Sequence, residues 1–312
     1  MTRRLVLVLA CAGACRTAPI PEDQRYPAGT DFTARYVVVD GTRIRYIDAG
    51  RGPSVVFLHG LGASMYAWRN TLAAVRAAGY RVVAFDNRGF GFSDKPPHGY
   101  DNAAYARLLA AFMDSLHVAD AVLVGHSMGG AIAAEAAIAW PDRVRGLVLI
   151  GSSGLGGREP LLFRVARWPV VGPLLLAFRG RGLTERLLRS TYADPGKVVA
   201  ADVDQYYAPV ALPAYGRALR ATLREFQFDG LGGGRLNRIA APTLVVWGDE
   251  DRWIPTSVGR LMAGQIPRSA FVMARHAGHA VQEEAPADVN HLLIRFLKQG
   301  VTRVPENLAL GF

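Results

Sequence analysis

The run Ala121-Val122-Leu123-Val124-Gly125-His126-Ser127-Met128-Gly129-Gly130-Ala131-Ile132-Ala133-Ala134 decides how this chain is read. Ala121–Gly125 is an apolar β-rich stretch, and Met128–Trp140 is an Ala-rich helical stretch that Pro141 ends. Between them lies Gly125-His126-Ser127-Met128-Gly129, a G-x-S-x-G at a strand-to-helix turn. The spacing has a steric cause. A serine on such a strained turn is lifted above the sheet, and glycine on either side lets strand and helix pass closely. A structural Gly-Ser-Gly turn is the competing reading, and the flanking strand and helix count against it.

Outward from this turn, strands and helices alternate. Arg35–Val39 and Arg43–Ala49 flank Asp40-Gly41, a two-residue hairpin signal. Strands are predicted at Ser54–His59, Arg81–Asp86, Val144–Ile150, Thr243–Gly248 and Ser269–Ala274. Helices are predicted over Ala67–Ala78, Asn102–Leu116, Ser257–Gly264 and Ala285–Gln299. Strands apolar throughout and separated by helices indicate a mostly parallel, doubly wound α/β sheet covered on both faces. Between Ile150 and Pro242 the pattern lapses into helical stretches, Leu161–Phe178 (broken by Pro169 and Pro173), Thr184–Thr191 and Tyr215–Phe226. Such an insertion between two late strands reads as a helical cap over 153–239, with the core at 32–152 and 240–300 and a C-terminal tail at 301–312. Gly232-Gly233-Gly234 marks the cap's exit.

A serine hydroxyl needs a base to become a nucleophile, and the base needs an orienting acid. Candidate loops follow the two late strands: Gly248-Asp249-Glu250-Asp251-Arg252-Trp253 and Arg275-His276-Ala277-Gly278-His279. Here the chain resembles the α/β-hydrolase family, whose members often carry W-G-x-x-D-x-x-x-P and G-H-x-x-x-x-E. Gly248…Asp251…Pro255 and Gly278-His279…Glu284 match. The resemblance implies Asp251 as acid and His279 as base, completing a triad with Ser127, and leaves His276 as a rival base. It also implies an oxyanion hole from the backbone N–H groups of Met128 and of Leu61, within His59-Gly60-Leu61-Gly62, which is similar to the family's H-G-x-G segment. His59 reads as a structural hydrogen-bonder, and Asp86-Asn87-Arg88-Gly89-Phe90-Gly91-Phe92-Ser93 matches a family turn below the site.

Subfamily patterns narrow the chemistry. Dehalogenases and epoxide hydrolases of this fold place aspartate at the elbow, where this chain has Ser127. Carbon–carbon hydrolases of ring-fission products usually carry Trp after the catalytic His, where this chain has Ala280. The expected activity is therefore carboxylic-ester hydrolysis through an acyl-enzyme, by an esterase or lipase whose cap (Trp168, Leu174–Phe178, Tyr206, Tyr207) shapes an apolar acyl pocket. A carbon–carbon hydrolase and a non-catalytic envelope binding module are the alternatives. The expected partner is a small or lipid-like ester. No cofactor or metal is expected, since no ligand spacing and no Rossmann or P-loop glycine pattern occurs.

At 312 residues, 50% hydrophobic and 20% charged, the composition excludes a disordered chain, and no stretch approaches the ~20 apolar residues of a membrane-spanning helix. The net charge of +10 comes from arginines scattered along the chain, not from the cluster a nucleic-acid footprint would show. At the N-terminus, Arg3-Arg4 precede the apolar Leu5–Ala14 and then Cys15. This is similar to a bacterial lipoprotein signal over 1–15, with Cys15 the lipidation candidate and Cys11 the alternative, followed by a tether over 16–31. The expectation is an exported, envelope-located protein, lipid-anchored or released.

Overall fold

The computed structural model describes residues 20–156, 161–299 and 308–310. The export signal expected over 1–15, both cysteines included, lies outside the described residues. Nine strands form one sheet: β1 (Ala34–Val39), β2 (Thr42–Ala49), β3 (Ser54–Leu58), β4 (Arg81–Phe85), β5 (Ala121–His126), β6 (Val144–Ile150), β7 (Thr243–Gly248), β8 (Ser269–Ala274) and β9 (Leu308–Leu310). Their order is β1-β2-β4-β3-β5-β6-β7-β8-β9. The pairs β1–β2 and β2–β4 are antiparallel, and every other neighbour is parallel. Asp40 and Gly41, both at positive φ, close the first hairpin, with Val39 opposite Thr42.

The inner strands are apolar throughout because both faces are covered. Val56, Leu58, Leu123, Leu147, Leu149, Val245 and Trp247 pack on one face. Their alternates Val55, Phe57, Val124, Val148, Ile150, Leu244 and Val246 pack on the other. The helices in chain order are α1 (Leu72–Ala77), α2 (Asn102–Ser115), α3 (Met128–Ala139), α4 (Leu161–Ala166), α5 (Val171–Ala177), α6 (Arg181–Ser190), α7 (Ala200–Val210), α8 (Tyr215–Glu225), α9 (Thr256–Gln265), α10 (Val281–Glu284) and α11 (Pro286–Gln299). The first face packs under α2, α3 and α9, the second under α1 and α11. Helix α3 is buried almost all round, which its alanines permit by letting backbones approach. Its one carboxylate, Glu135, meets Arg235 at 2.7 Å.

Three expectations are corrected, and one further helix is added within the cap. Ala67–Ala78 is not one helix. A 3₁₀ turn at Met65–Trp68 precedes α1, because Ser64 caps it and the Met65 N–H donates to Asp86. The stretch 16–31 is not a tether from Ile20 onward: Tyr26 is buried against Tyr66, and its N–H donates to Gln205 on α7. Helix α7, with Pro209 near its end, was not anticipated. Leu308–Leu310, expected in a tail, pairs with the otherwise open edge of β8, a three-residue run too short to show periodicity.

Candidate active site

The turn after β5 has the geometry its sequence demands. Ser127 sits at φ 53°, ψ −120°, a conformation disfavoured for a residue with a side chain. The surrounding structure over-determines it. The Ser127 N–H donates to Ile150 O at 3.0 Å, and its carbonyl accepts from Gly130 N and Ser153 N. A Cβ at Gly125 would stand 2.4 Å from the Gly129 carbonyl oxygen, and one at Gly129 would stand 2.3 Å from that of Leu58. Only glycine lets helix and strands close on this turn.

Loops at the carboxyl ends of β7 and β8 bring the other two residues in. His279 Nδ1 donates to Asp251 Oδ2 at 2.8 Å, which fixes the tautomer and leaves Nε2 as the acceptor. The other oxygen of Asp251 accepts from the Trp253 and Ile254 N–H groups at 2.8 and 2.9 Å. Asp251 and His279 are buried, whereas Ser127 is half-exposed, and Ser127 and His279 open on one cavity of about 620 Å³. Gly60, Leu61 and Gly62 line that cavity as well. Met128, at the first position of α3, carries one of the N–H groups that have no partner within a helix.

His276 is exposed and faces Glu250 at 3.8 Å. His59 is buried beside the elbow, its Nε2 accepting from the Asn87 N–H and its Nδ1 donating to Gly60 O. Burial lowers its affinity for a second proton, so it serves as a neutral brace. Asp86, in the D-x-R-G-x-G-x-S turn, accepts from Met65 N and Phe92 N, consistent with a structural part. Among the described residues, no cluster of His, Cys, Asp or Glu could hold a metal.

Several residues of the site escaped sequence reasoning. Trp253 stacks on the His279 ring, 6.0 Å between centroids and 12° from parallel, and its indole N–H donates to Ser190 O. His126 donates from Nε2 to the backbone carbonyl of His279 at 3.0 Å. Burial, then the neighbouring His279, press the His126 pKa well below the usual histidine value, so that ring is neutral. Glu284, part of the motif, spans the joint between core and cap helices. It accepts from Gly278 N (2.7 Å), Ala193 N (2.9 Å) and Asp194 N (2.8 Å). Gly278 is required there, since a Cβ would stand 2.6 Å from Thr191 O.

Beside these contacts runs a buried polar network. Arg69 pairs with Glu283 and, at 2.9 Å, with Asp202 on α7. Tyr206 donates to Glu283 at 2.6 Å, and Tyr66 to Asp202 at 2.7 Å. Burial raises the Glu283 pKa above the ordinary carboxylate value despite Arg69. Glu283 and Tyr206 both face the cavity. No sequence signal links these partners, because Arg69 and Glu283 are 214 residues apart. Trp253 was nearer to hand, two residues after Asp251.

Residues 53–286 match the family described as alpha/beta hydrolase fold. The chain belongs to that family. A 2-hydroxy-6-oxononadienedioate/2-hydroxy-6-oxononatrienedioate hydrolase of Paraburkholderia phymatum is 33% identical over 291 residues, covering 86% of this chain and 96% of that protein. Among solved structures, a meta-cleavage product hydrolase of Pseudomonas fluorescens superposes with TM-score 0.75 at 25% identity, covering 85% of this α/β-hydrolase and 97% of that chain. A membrane phospholipase A superposes with TM-score 0.74 at 29% identity, covering 88% and 87%. The chain is accordingly a hydrolase.

Proposed function

We propose that this hydrolase cleaves carboxylic esters through an acyl-enzyme on Ser127, with an apolar acyl group held under the cap helices. The observation that carries the reading is the cavity wall. Above Ser127 and His279 it is built from Phe163, Leu176, Leu187, Leu219, Leu223 and Phe226. An apolar cavity of this size removes an acyl chain from water and leaves the ester at its polar end. Likeness to a phospholipase, a lipid-ester enzyme, supports it.

In this reading His279 Nε2 takes the Ser127 proton as Oγ attacks the ester carbonyl, and Asp251 stabilises the imidazolium that forms. The oxyanion takes hydrogen bonds from the N–H groups of Leu61 and Met128. His279 then gives its proton to the departing alcohol, and a water activated by the same ring releases the acid.

A second reading is favoured by the curated relatives, whose names denote carbon–carbon hydrolysis of dicarboxylates. Arg167, Arg179 and Arg224 on the cavity wall are the groups such carboxylates would meet. Of these, Arg179 already donates to the carbonyls of Val210, Leu176 and Leu212, and Arg167 to that of Leu223.

One experiment separates the two. The chain and its Ser127→Ala variant are assayed on p-nitrophenyl esters from acetate to palmitate and on a ring-fission 2-hydroxy-6-oxo-dienoate. Ser127-dependent ester turnover with an optimum beyond butyrate supports the proposal. A higher kcat/KM on the dienoate than on any ester replaces it with the second reading. Turnover of neither substrate leaves a binding module. Location in the envelope, and lipidation of Cys15, are part of the same proposal and are tested by labelling whole cells with a radioactive fatty acid.

A further inference from the structure

Among the described residues nine large hydrophobic side chains are exposed, and five of them fall in one eleven-residue stretch, Trp168 to Phe178. Trp168 is 57% exposed, Val170 80%, Leu174 61% and Phe178 72%. Val170, Leu174 and Phe178 recur every four residues, so α5 and its ends present them as one stripe. The inward side of the same hairpin, Phe163 and Ala166 from α4 and Leu176 from α5, lines the cavity above Ser127. One short helical pair therefore walls the cavity inside and shows a contiguous apolar surface outside. A soluble protein rarely leaves such a patch to water without a partner for it.

The charge around the patch identifies the partner. From Leu161 to Ser190 the chain has Arg164, Arg167, Arg179, Arg181, Arg186 and Arg189 against a single acid, Glu185. Arg181 and Arg189 share that glutamate, Arg181 also meets Asp204, and Arg164 and Arg186 are exposed. Helix α8 adds Arg217, Arg220 and Arg224 against Glu225. Trp and Phe with Leu and Val, in a segment rich in arginine, fit the boundary between acyl chains and headgroups of a bilayer. The arginine excess selects anionic headgroups. We infer that α4 and α5 form a docking surface for an anionic lipid bilayer, setting the wall of the cavity against the membrane. This holds whichever bond the enzyme cleaves, because seating is a property of the outer face alone.

The test uses the full chain carrying Ser127→Ala, so that vesicles are not consumed, and Cys11→Ser with Cys15→Ser, so that no acyl anchor is added. Partition is measured by co-sedimentation with vesicles of phosphatidylcholine alone and of phosphatidylcholine with one quarter phosphatidylglycerol. The expected result is preference for the anionic vesicles, weakened in 0.5 M salt, about tenfold lower partition for Trp168→Ser/Leu174→Ser/Phe178→Ser, and about fivefold lower for Arg164→Gln. Equal partition of the triple variant and its parent would overturn the inference, assigning binding to another segment. So would a parent that ignores vesicles and instead forms a dimer, in sedimentation velocity, that the triple variant dissolves. A second measurement leaves the patch intact: vesicles with brominated acyl chains should quench the parent's fluorescence more than that of Trp168→Phe. Equal quenching would likewise overturn it.

Discussion

The floor and the roof of the cavity follow opposite rules. The floor, made by β3, β5, β7, β8 and the turns at their carboxyl ends, is paved with glycine and closed by hydrogen bonds. Ser127, Asp251 and His279 each have their backbone or side-chain partners assigned, and a single Cβ at Gly125 or Gly129 would collide with backbone. The roof, α4 to α8, is mostly apolar on its inner side, with Arg167, Arg179 and Arg224 among its lining, and at α4 and α5 carries exposed apolar side chains on its outer side too. The floor can do one thing in one geometry. The roof can change side chains without touching the reacting atoms, which is where specificity can vary while chemistry stays fixed.

The largest effect expected is on the floor. Asp251→Asn keeps the shape but loses the charge that holds the His279 tautomer, so kcat should fall about 10⁴-fold with the urea midpoint little changed. Comparable activity in the variant would mean that Asp251 is not the orienting acid.

At the joint between floor and roof, Arg69→Met leaves the buried Glu283 and Asp202 without their cation. The expected loss is about 3–5 kcal/mol at pH 7, read from urea denaturation. The sign of its pH dependence follows from Glu283. A carboxyl whose folded pKa is raised contributes stability at low pH that is lost as pH rises through that value. Removing Arg69 raises it further, so the deficit should shrink from pH 7 to pH 5. A deficit that grows on acidification would show that Glu283 is not the group left exposed to the penalty.

Trp253→Ala removes the ring stacked on His279 and the tie to Ser190, and should lower kcat about tenfold by loosening the base. The drop should appear equally for short and long esters. A loss confined to long esters would reassign Trp253 from floor to roof.

Effects restricted to the roof should be smallest. Leu187→Trp, on the half-buried cavity wall, should shorten the preferred acyl chain while changing stability by about 1 kcal/mol or less. An unchanged chain-length profile would place the acyl group elsewhere.

How much of this was legible beforehand differs along the chain. The elbow could be read because Gly125 and Gly129 answer a local steric demand within five consecutive residues. Asp251 and His279 could be read only as members of short motifs, since nothing local says that residues 28 apart share a hydrogen bond. Helix α7 was missed, yet its Asp202, Gln205 and Tyr206 reach Arg69, Tyr26 and Glu283. Its apolar spacing is interrupted by these polar residues, and their partners lie far along the chain.

By itself, then, the sequence determined the alternation of strands and helices, the strained turn at Ser127 and the positions of the two loops that follow β7 and β8. These follow from periodicity and from backbone sterics, which act over a few residues. Tertiary structure alone decided that Trp253 stacks on His279, that Arg69, Asp202, Tyr206 and Glu283 share one buried network, and that α5 keeps an apolar stripe in water. Burial and charge pairing depend on which distant segments meet, and no local pattern of residues encodes that meeting.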